Sequence, residues 1–223
     1  MVVLLAVLTV AALIALDYFV LRKRRAEGLA EVRLPGLEPL SHMTESVPEG
    51  VFLQPTYTWT RIREDGDLMV GVHPLLLGLL GAPYRYELLG NGSSVEKGAP
   101  LIRLERGGRR LSVPCPVEGR VTAVNRRSTG ETQWKGLEAP DGSWLYRIRP
   151  ERVEQEVPGW MIADAAIGWT KQQYEGIRSY LTRAASLDEV GVTMADGGDI
   201  PIGVLASLDD AGWTGFQNTF LTP

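Results

Sequence analysis

Reactive side chains are scarce along this chain of 223 residues. His42 and His73 are its two histidines and Cys115 its one cysteine. Neither histidine has Cys, Asp or Glu around it at the spacing of a metal-ligand set, so no zinc or iron site is expected. His73 precedes Pro74 and reads as an ordinary turn or surface residue. Cys115 stands between Pro114 and Pro116 and reads as a buried, inert thiol, because a nucleophile needs a base in range and none is suggested. Asp196-Gly197-Gly198-Asp199 lacks the alternating acids and distal glutamate of a calcium loop and reads as a plain turn. No phosphate-binding loop, dinucleotide fingerprint or nucleophile elbow occurs. Charge is concentrated at one place: Arg103, Arg106, Arg109 and Arg110 surround Gly107-Gly108. A solvated hairpin explains that cluster as well as contact with anionic lipid headgroups or an acidic partner face does. No catalytic, metal-binding or cofactor-binding residue emerges, and an enzyme is not expected.

The bulk composition narrows the classes further. With 44% hydrophobic and 22% charged residues the chain is not globally disordered. The net charge of −4, with basic residues scattered among acids, gives no footprint for nucleic acid. A single cysteine excludes an intrachain disulfide framework.

Residues 2–21 form a twenty-residue apolar run whose only charge is Asp17. As a helix it is roughly 30 Å long, the thickness of a bilayer's hydrocarbon layer. Arg22-Lys23-Arg24-Arg25 follow it and no cation precedes it, which predicts a single-pass anchor in the inner (cytoplasmic) membrane, N-terminus outside and bulk of the chain cytoplasmic. A cleaved signal peptide has its positive charge on the other side and a small-residue cleavage site, both lacking here. Asp17, about one turn from the cytoplasmic end, either reaches the headgroups or faces a partner helix.

The rest divides into three stretches. Residues 26–50, with Pro35, Pro39 and Pro48, read as an extended linker. Residues 51–155 read as β structure: Asp65-Gly66 joins 57–63 to 68–72, Gly107-Gly108 joins 101–104 to 110–113, and 144–148 alternate as a half-buried strand. The leucine-rich stretch 75–80 suggests one helical turn. From Pro158 to Ala185, apolar residues including Ile162, Trp169 and Ile177 recur at roughly helical spacing and predict an amphipathic helix, with breaks suspected at Gly168 or Gly176. Asp209 is a candidate N-cap for a last helix bearing Trp213, Phe216 and Phe220. These aromatics, with Trp169, are candidates for docking on the domain itself or on a neighbour.

Within the β stretch, Tyr57-Thr58-Trp59-Thr60-Arg61, Val70-Gly71-Val72, Leu79-Leu80-Gly81, Val95-Glu96-Lys97-Gly98-Ala99-Pro100, Cys115-Pro116-Val117-Glu118-Gly119-Arg120-Val121 and Trp144-Leu145-Tyr146-Arg147-Ile148 follow one another in the order of a known family. The segment resembles the H protein of the glycine cleavage system. The resemblance implies a mainly β, lipoyl-type flattened barrel or sandwich, here with an N-terminal transmembrane helix and a C-terminal helical extension added. It also implies a lysine at a hairpin tip that carries lipoate through an amide. Counting back from Pro116-Val117 without gaps puts the family's glutamate on Glu105 and its lysine on Gly108. No lysine occurs between Lys97 and Lys135. Arginine is no substitute, because its guanidinium stays protonated and is a poor acyl acceptor. No cofactor is therefore expected, and the fold is expected to be reused for docking.

The leading expectation is a structural subunit of a larger integral membrane complex, photosynthetic or respiratory, with Asp17, Arg106, Arg109, Arg110, Trp169, Trp213, Phe216 and Phe220 as partner-contact candidates. Its layout, one helix and then a cytoplasmic β domain, is similar to that of the H subunit of photosynthetic reaction centres. The alternative is a non-lipoylated recruiter or regulator of lipoate-handling or glycine-cleavage enzymes. A membrane-fusion or efflux adaptor is a third reading, which lacks the long helical hairpin such proteins need.

Overall fold

A computed structural model describes residues 39–82, 84–126, 137, 140–184 and 198–222. The expected membrane anchor, with Asp17, lies outside them. Among the described residues no helix is long and apolar enough to cross a membrane.

Among the described residues nine strands make two sheets. They are β1 (Val51–Gln54), β2 (Thr58–Ile62), β3 (Leu68–Val72), β4 (Arg85–Leu88), β5 (Ser94–Val95), β6 (Pro100–Arg106), β7 (Arg109–Pro114), β8 (Gly119–Val124) and β9 (Tyr146–Pro150). The larger sheet runs β1-β2-β3-β9-β8-β5 and the smaller β4-β6-β7. Pairing between them is antiparallel throughout. The Asp65-Gly66 turn sets Ile62 opposite Leu68, as the sequence predicts, with Gly66 at φ 81°.

Register explains why β3 is buried along its whole length. Leu68, Val70 and Val72 join the main core with Ile102 and Leu104 of β6 and Leu111 and Val113 of β7. Met69 points to the other face, into a smaller cluster with Leu53, Trp59 and Ala166. Tyr146 of β9 ties the two sheets: its hydroxyl donates to the Leu101 carbonyl at 3.2 Å and accepts from the Leu89 amide at 2.6 Å.

Among the described residues three helices are seven residues or longer. α1 (Pro74–Leu80) is longer than the single turn expected, and all seven of its residues are buried. α2 (Ala163–Ala184) is continuous and buries Ala166, Thr170, Tyr174, Ile177 and Leu181 on one face. The suspected breaks at Gly168 and Gly176 do not occur; both glycines sit on the exposed face, where each costs only about 1 kcal/mol. α3 (Asp210–Phe220) starts as predicted at Asp209, whose carboxylate accepts from the Gly212 amide at 2.7 Å.

Two readings need correction. Residues 40–44, within the stretch expected to be an extended linker, form a 3-10 turn whose Leu40 is fully buried in the main core. His73 is no surface residue. It is fully buried and caps α1, its Nδ1 accepting from the Leu75 amide at 3.1 Å. Accepting there puts the proton on Nε2, which has no hydrogen-bond partner and stands edge-on to Trp169, ring centres 6.0 Å apart.

Burial drives His73 down to about 3 from its ordinary 6.5. A histidine that must stay neutral in the fold binds its proton only on unfolding. Its stabilising share is whole above pH 6.5 and is lost on acidification at about 1.4 kcal/mol per pH unit. His73→Asn keeps an N-cap acceptor and removes the titration. Urea unfolding at pH 7 and pH 4.5 should therefore show the wild type losing about 3 kcal/mol more than the variant; equal losses contradict the assignment.

Candidate functional site

The hairpin of β6 and β7 is where the chemistry-bearing positions gather. Arg106 pairs with Arg109 across a two-residue turn. Gly107 and Gly108 both have positive φ, 60° and 81°, the type I′ geometry that matches strand twist and favours glycine at both places. Gly108 is exposed, and a Cβ built on it meets nothing within 4 Å.

The arginines flanking this tip turn back onto the chain. Arg106 Nη1 donates to the Leu80 carbonyl at the end of α1 and lies 3.5 Å from the Gly203 carbonyl. This supplies a cation to the negative end of a helix whose own last turn has none. Burial lowers the Arg106 pKa, yet the group stays a cation. It fits between Gly81 and Gly203, both left-handed; a Cβ at Gly203 stands 2.6 Å from Arg106 Nη1.

Arg109 Nη1 donates to the Leu208 carbonyl, and its Nη2 lies 3.0 Å from the Asp210 carboxylate. Its guanidinium also lies 5.7 Å from the centre of the Trp213 ring. Trp213 Nε1 donates to the Arg110 carbonyl at 3.1 Å, so α3 covers the outer edge of β7. Arg110 itself faces solvent and reaches Glu105 at 3.3 Å and Glu87 at 3.9 Å. Arg103 reaches Glu87 at 3.7 Å. The basic cluster is thus largely engaged by carbonyls and carboxylates of this chain.

Other candidates fall elsewhere. Phe216 is fully buried and Phe220 half-buried, both edge-on to Tyr180. Trp169 packs against Tyr57 with ring centres 5.3 Å apart, away from the hairpin elements. Trp213 and Phe216, 7% and 0% exposed, have almost no surface left for a neighbour. Lys97 lies in the turn between β5 and β6, with Nζ 2.6 Å from Glu156. Cys115 is buried, donates to the Val117 carbonyl at 3.1 Å, and its thiol is pushed up to about 11 by burial. That leaves essentially no thiolate at neutral pH. Among the described residues no group of three His, Cys, Asp or Glu is placed to hold a metal.

Sequence reasoning missed the partners of the hairpin. Leu80, Gly203 and Leu208 act through backbone carbonyls, which carry no residue-type signature. It also undervalued Asp199, read as part of a plain turn whose Asp196 and Gly197 lie outside the described residues. Asp199 accepts from the Ser41 hydroxyl at 3.1 Å, the Ile200 amide at 2.7 Å and the Tyr174 hydroxyl. One carboxylate thereby joins residues 40–44, α2 and the C-terminal segment.

A family model described as glycine cleavage H-protein matches residues 52–173. The probable glycine cleavage system H protein of Pyrococcus abyssi is 31% identical over 118 residues, 53% of this chain and 87% of that protein. Its counterpart in Pyrococcus furiosus is 30% identical over 125 residues, 56% and 92% of the two chains. The crystal structure of a glycine cleavage system H protein from Mycobacterium marinum aligns with a TM-score of 0.44 and 20% identity, over 57% of this chain and 98% of that one. The family match stops short of Gly203, Leu208, Asp210 and Trp213, so these contacts to the hairpin come from a segment beyond it.

The hairpin and α3 should behave as one energetic unit. Trp213→Ala is expected to cost about 3–5 kcal/mol and Arg109→Ala about 1–2 kcal/mol. The double variant should fall short of their sum by roughly 0.5–1 kcal/mol, read by chemical denaturation. Strict additivity means the two side chains do not interact.

Proposed function

The chain belongs to the glycine cleavage H-protein family, and on that premise we propose that it is a non-catalytic member that carries no lipoate and acts as a recruiter or regulator of lipoate-handling or glycine-cleavage enzymes. One observation carries this reading: the gap-free count from Pro116-Val117 that puts the family's lysine on Gly108 lands on the tip of a turn built for two glycines. Lipoate is held by an amide to a lysine Nζ, and neither glycine nor the flanking arginines supply that nucleophile. Lys97, in another turn and ion-paired with Glu156, does not replace it. What remains of a carrier without its arm is a surface of the carrier's shape.

This reading is better supported than the photosynthetic or respiratory subunit expected first, because the relatives are H proteins. Membrane attachment is a separate proposal. It rests on residues 2–21 and the four cations that follow. In vesicle flotation the full chain should rise with the lipid, and a variant lacking residues 1–25 should stay below. Equal partitioning of the two removes the anchor.

The functional test incubates the full chain with lipoate, ATP and a lipoate-protein ligase, and then measures its binding to the purified glycine-cleavage enzymes. The mass should stay unchanged while a lipoyl-bearing H protein in the same tube gains the lipoyl group, and the chain should bind at least one enzyme. Gain of a lipoyl mass, or no binding to any of them, sinks the proposal.

A further inference from the structure

Losing a lysine is a single-residue event, but the hairpin differs from a bare tip in a second respect. The residues on both sides of Gly107-Gly108 are held by the C-terminal segment, Arg106 at Gly203 and Arg109 at Leu208, Asp210 and Trp213. From these contacts we infer that residues 203–213 shield the hairpin from lipoate-attaching enzymes, so that even a restored lysine at the tip is modified slowly. This rests on the reading of the chain as a member that carries no lipoate.

The chemistry sets how near an enzyme must come. Attachment is attack of a lysine Nζ on the carbonyl of an enzyme-held lipoyl-adenylate. The C–N amide bond forms, the bond from acyl carbon to phosphate oxygen breaks, AMP leaves with the electron pair, and Nζ releases a proton. ATP supplies the adenylate. A fully extended lysine places Nζ only ~6 Å from its Cα. An enzyme that aligns the amine with the carbonyl and keeps water off the adenylate must enclose the tip and its flanks.

On this chain both flanks are taken. Asp210 and Trp213 stand within reach of the Arg109 guanidinium, and Arg109 directly follows the tip. Trp213 is seated on the Arg110 carbonyl at the outer edge of β7. Gly203 closes on Arg106 so tightly that its Cβ position is 2.6 Å from the guanidinium. The space immediately above Gly108 is open, so the new side chain itself has room. The obstacle is to the enzyme.

Three full-length proteins separate the two losses: Gly108→Lys, Gly108→Lys with Arg109→Ala and Asp210→Ala, and Gly108→Lys with Trp213→Ala. Each carries the same left-handed backbone strain at 108, so that term cancels. Circular dichroism and melting establish that each is folded, and the Arg109/Asp210 variant, which leaves the aromatic core intact, serves if the Trp213 variant is not. The probe is a lipoate-protein ligase with lipoate and ATP, read by intact mass over time, beside wild-type chain and a lipoyl-bearing H protein. Gly108→Lys alone should be modified about ten-fold or more slowly than an opened variant. Equal rates for Gly108→Lys and the opened variants overturn the inference, and so do folded opened variants that stay unmodified. An unmodified wild type in the same series keeps this question separate from the reading it rests on.

Discussion

Two arginines on either side of a glycine turn organise one end of this molecule. Each guanidinium is an obligate cation that has left part of its hydration to reach backbone carbonyls, Leu80 and Gly203 for Arg106 and Leu208 for Arg109. Charge-assisted bonds of this kind contribute about 1.5–3 kcal/mol, against about 2 kcal/mol of side-chain entropy lost in ordering an arginine. The net gain is small, so the arginines fix geometry more than they stabilise. The larger energy comes from the aromatic beside Arg109, since burying Trp213 removes far more apolar surface from water. Packing drives the C-terminal segment onto the hairpin, and the arginines choose where it lands.

The same division recurs across the domain. Apolar strands supply the driving force, and a few buried polar groups set the register of one layer on another. The Tyr146 hydroxyl joins β9 to the smaller sheet. His73 starts α1 and meets Trp169 of α2. Asp199 gathers residues 40–44, α2 and the C-terminal segment on one carboxylate. Edge strands are covered in the same spirit: β1 exchanges backbone hydrogen bonds with Met161, and β7 lies under α3. The segment beyond the family match is therefore part of the core, with Phe216 fully buried and Leu221 nearly so.

Much of this was legible in the residues. Gly107-Gly108 between alternating strands predicts a two-residue hairpin because few other pairs tolerate its backbone, and Asp209 announces the start of α3. Gly168 and Gly176 misled, since propensity suggests breaks where a buried stripe from Ala166 to Leu181 holds the helix together. His73 misled because burial depends on neighbours far along the chain. The clamp was not legible in detail. The arginines were visible as candidates, but the atoms that meet them lie 26 to 103 residues away, and most are backbone carbonyls that look like any other. Whether Trp213 served this domain or a neighbour stayed open in the sequence for the same reason.

Central to this account is that hairpin and C-terminal helix form one cooperative unit. Native-state hydrogen exchange on the full chain measures that directly. The amides of β6, β7 and α3 should share a protection level close to that of β3 in the core, and Arg109→Ala should lower the first three together while leaving β3 unchanged. Fast exchange in α3 beside slow exchange in β6 and β7 contradicts it, and makes the C-terminal segment a loosely held appendage.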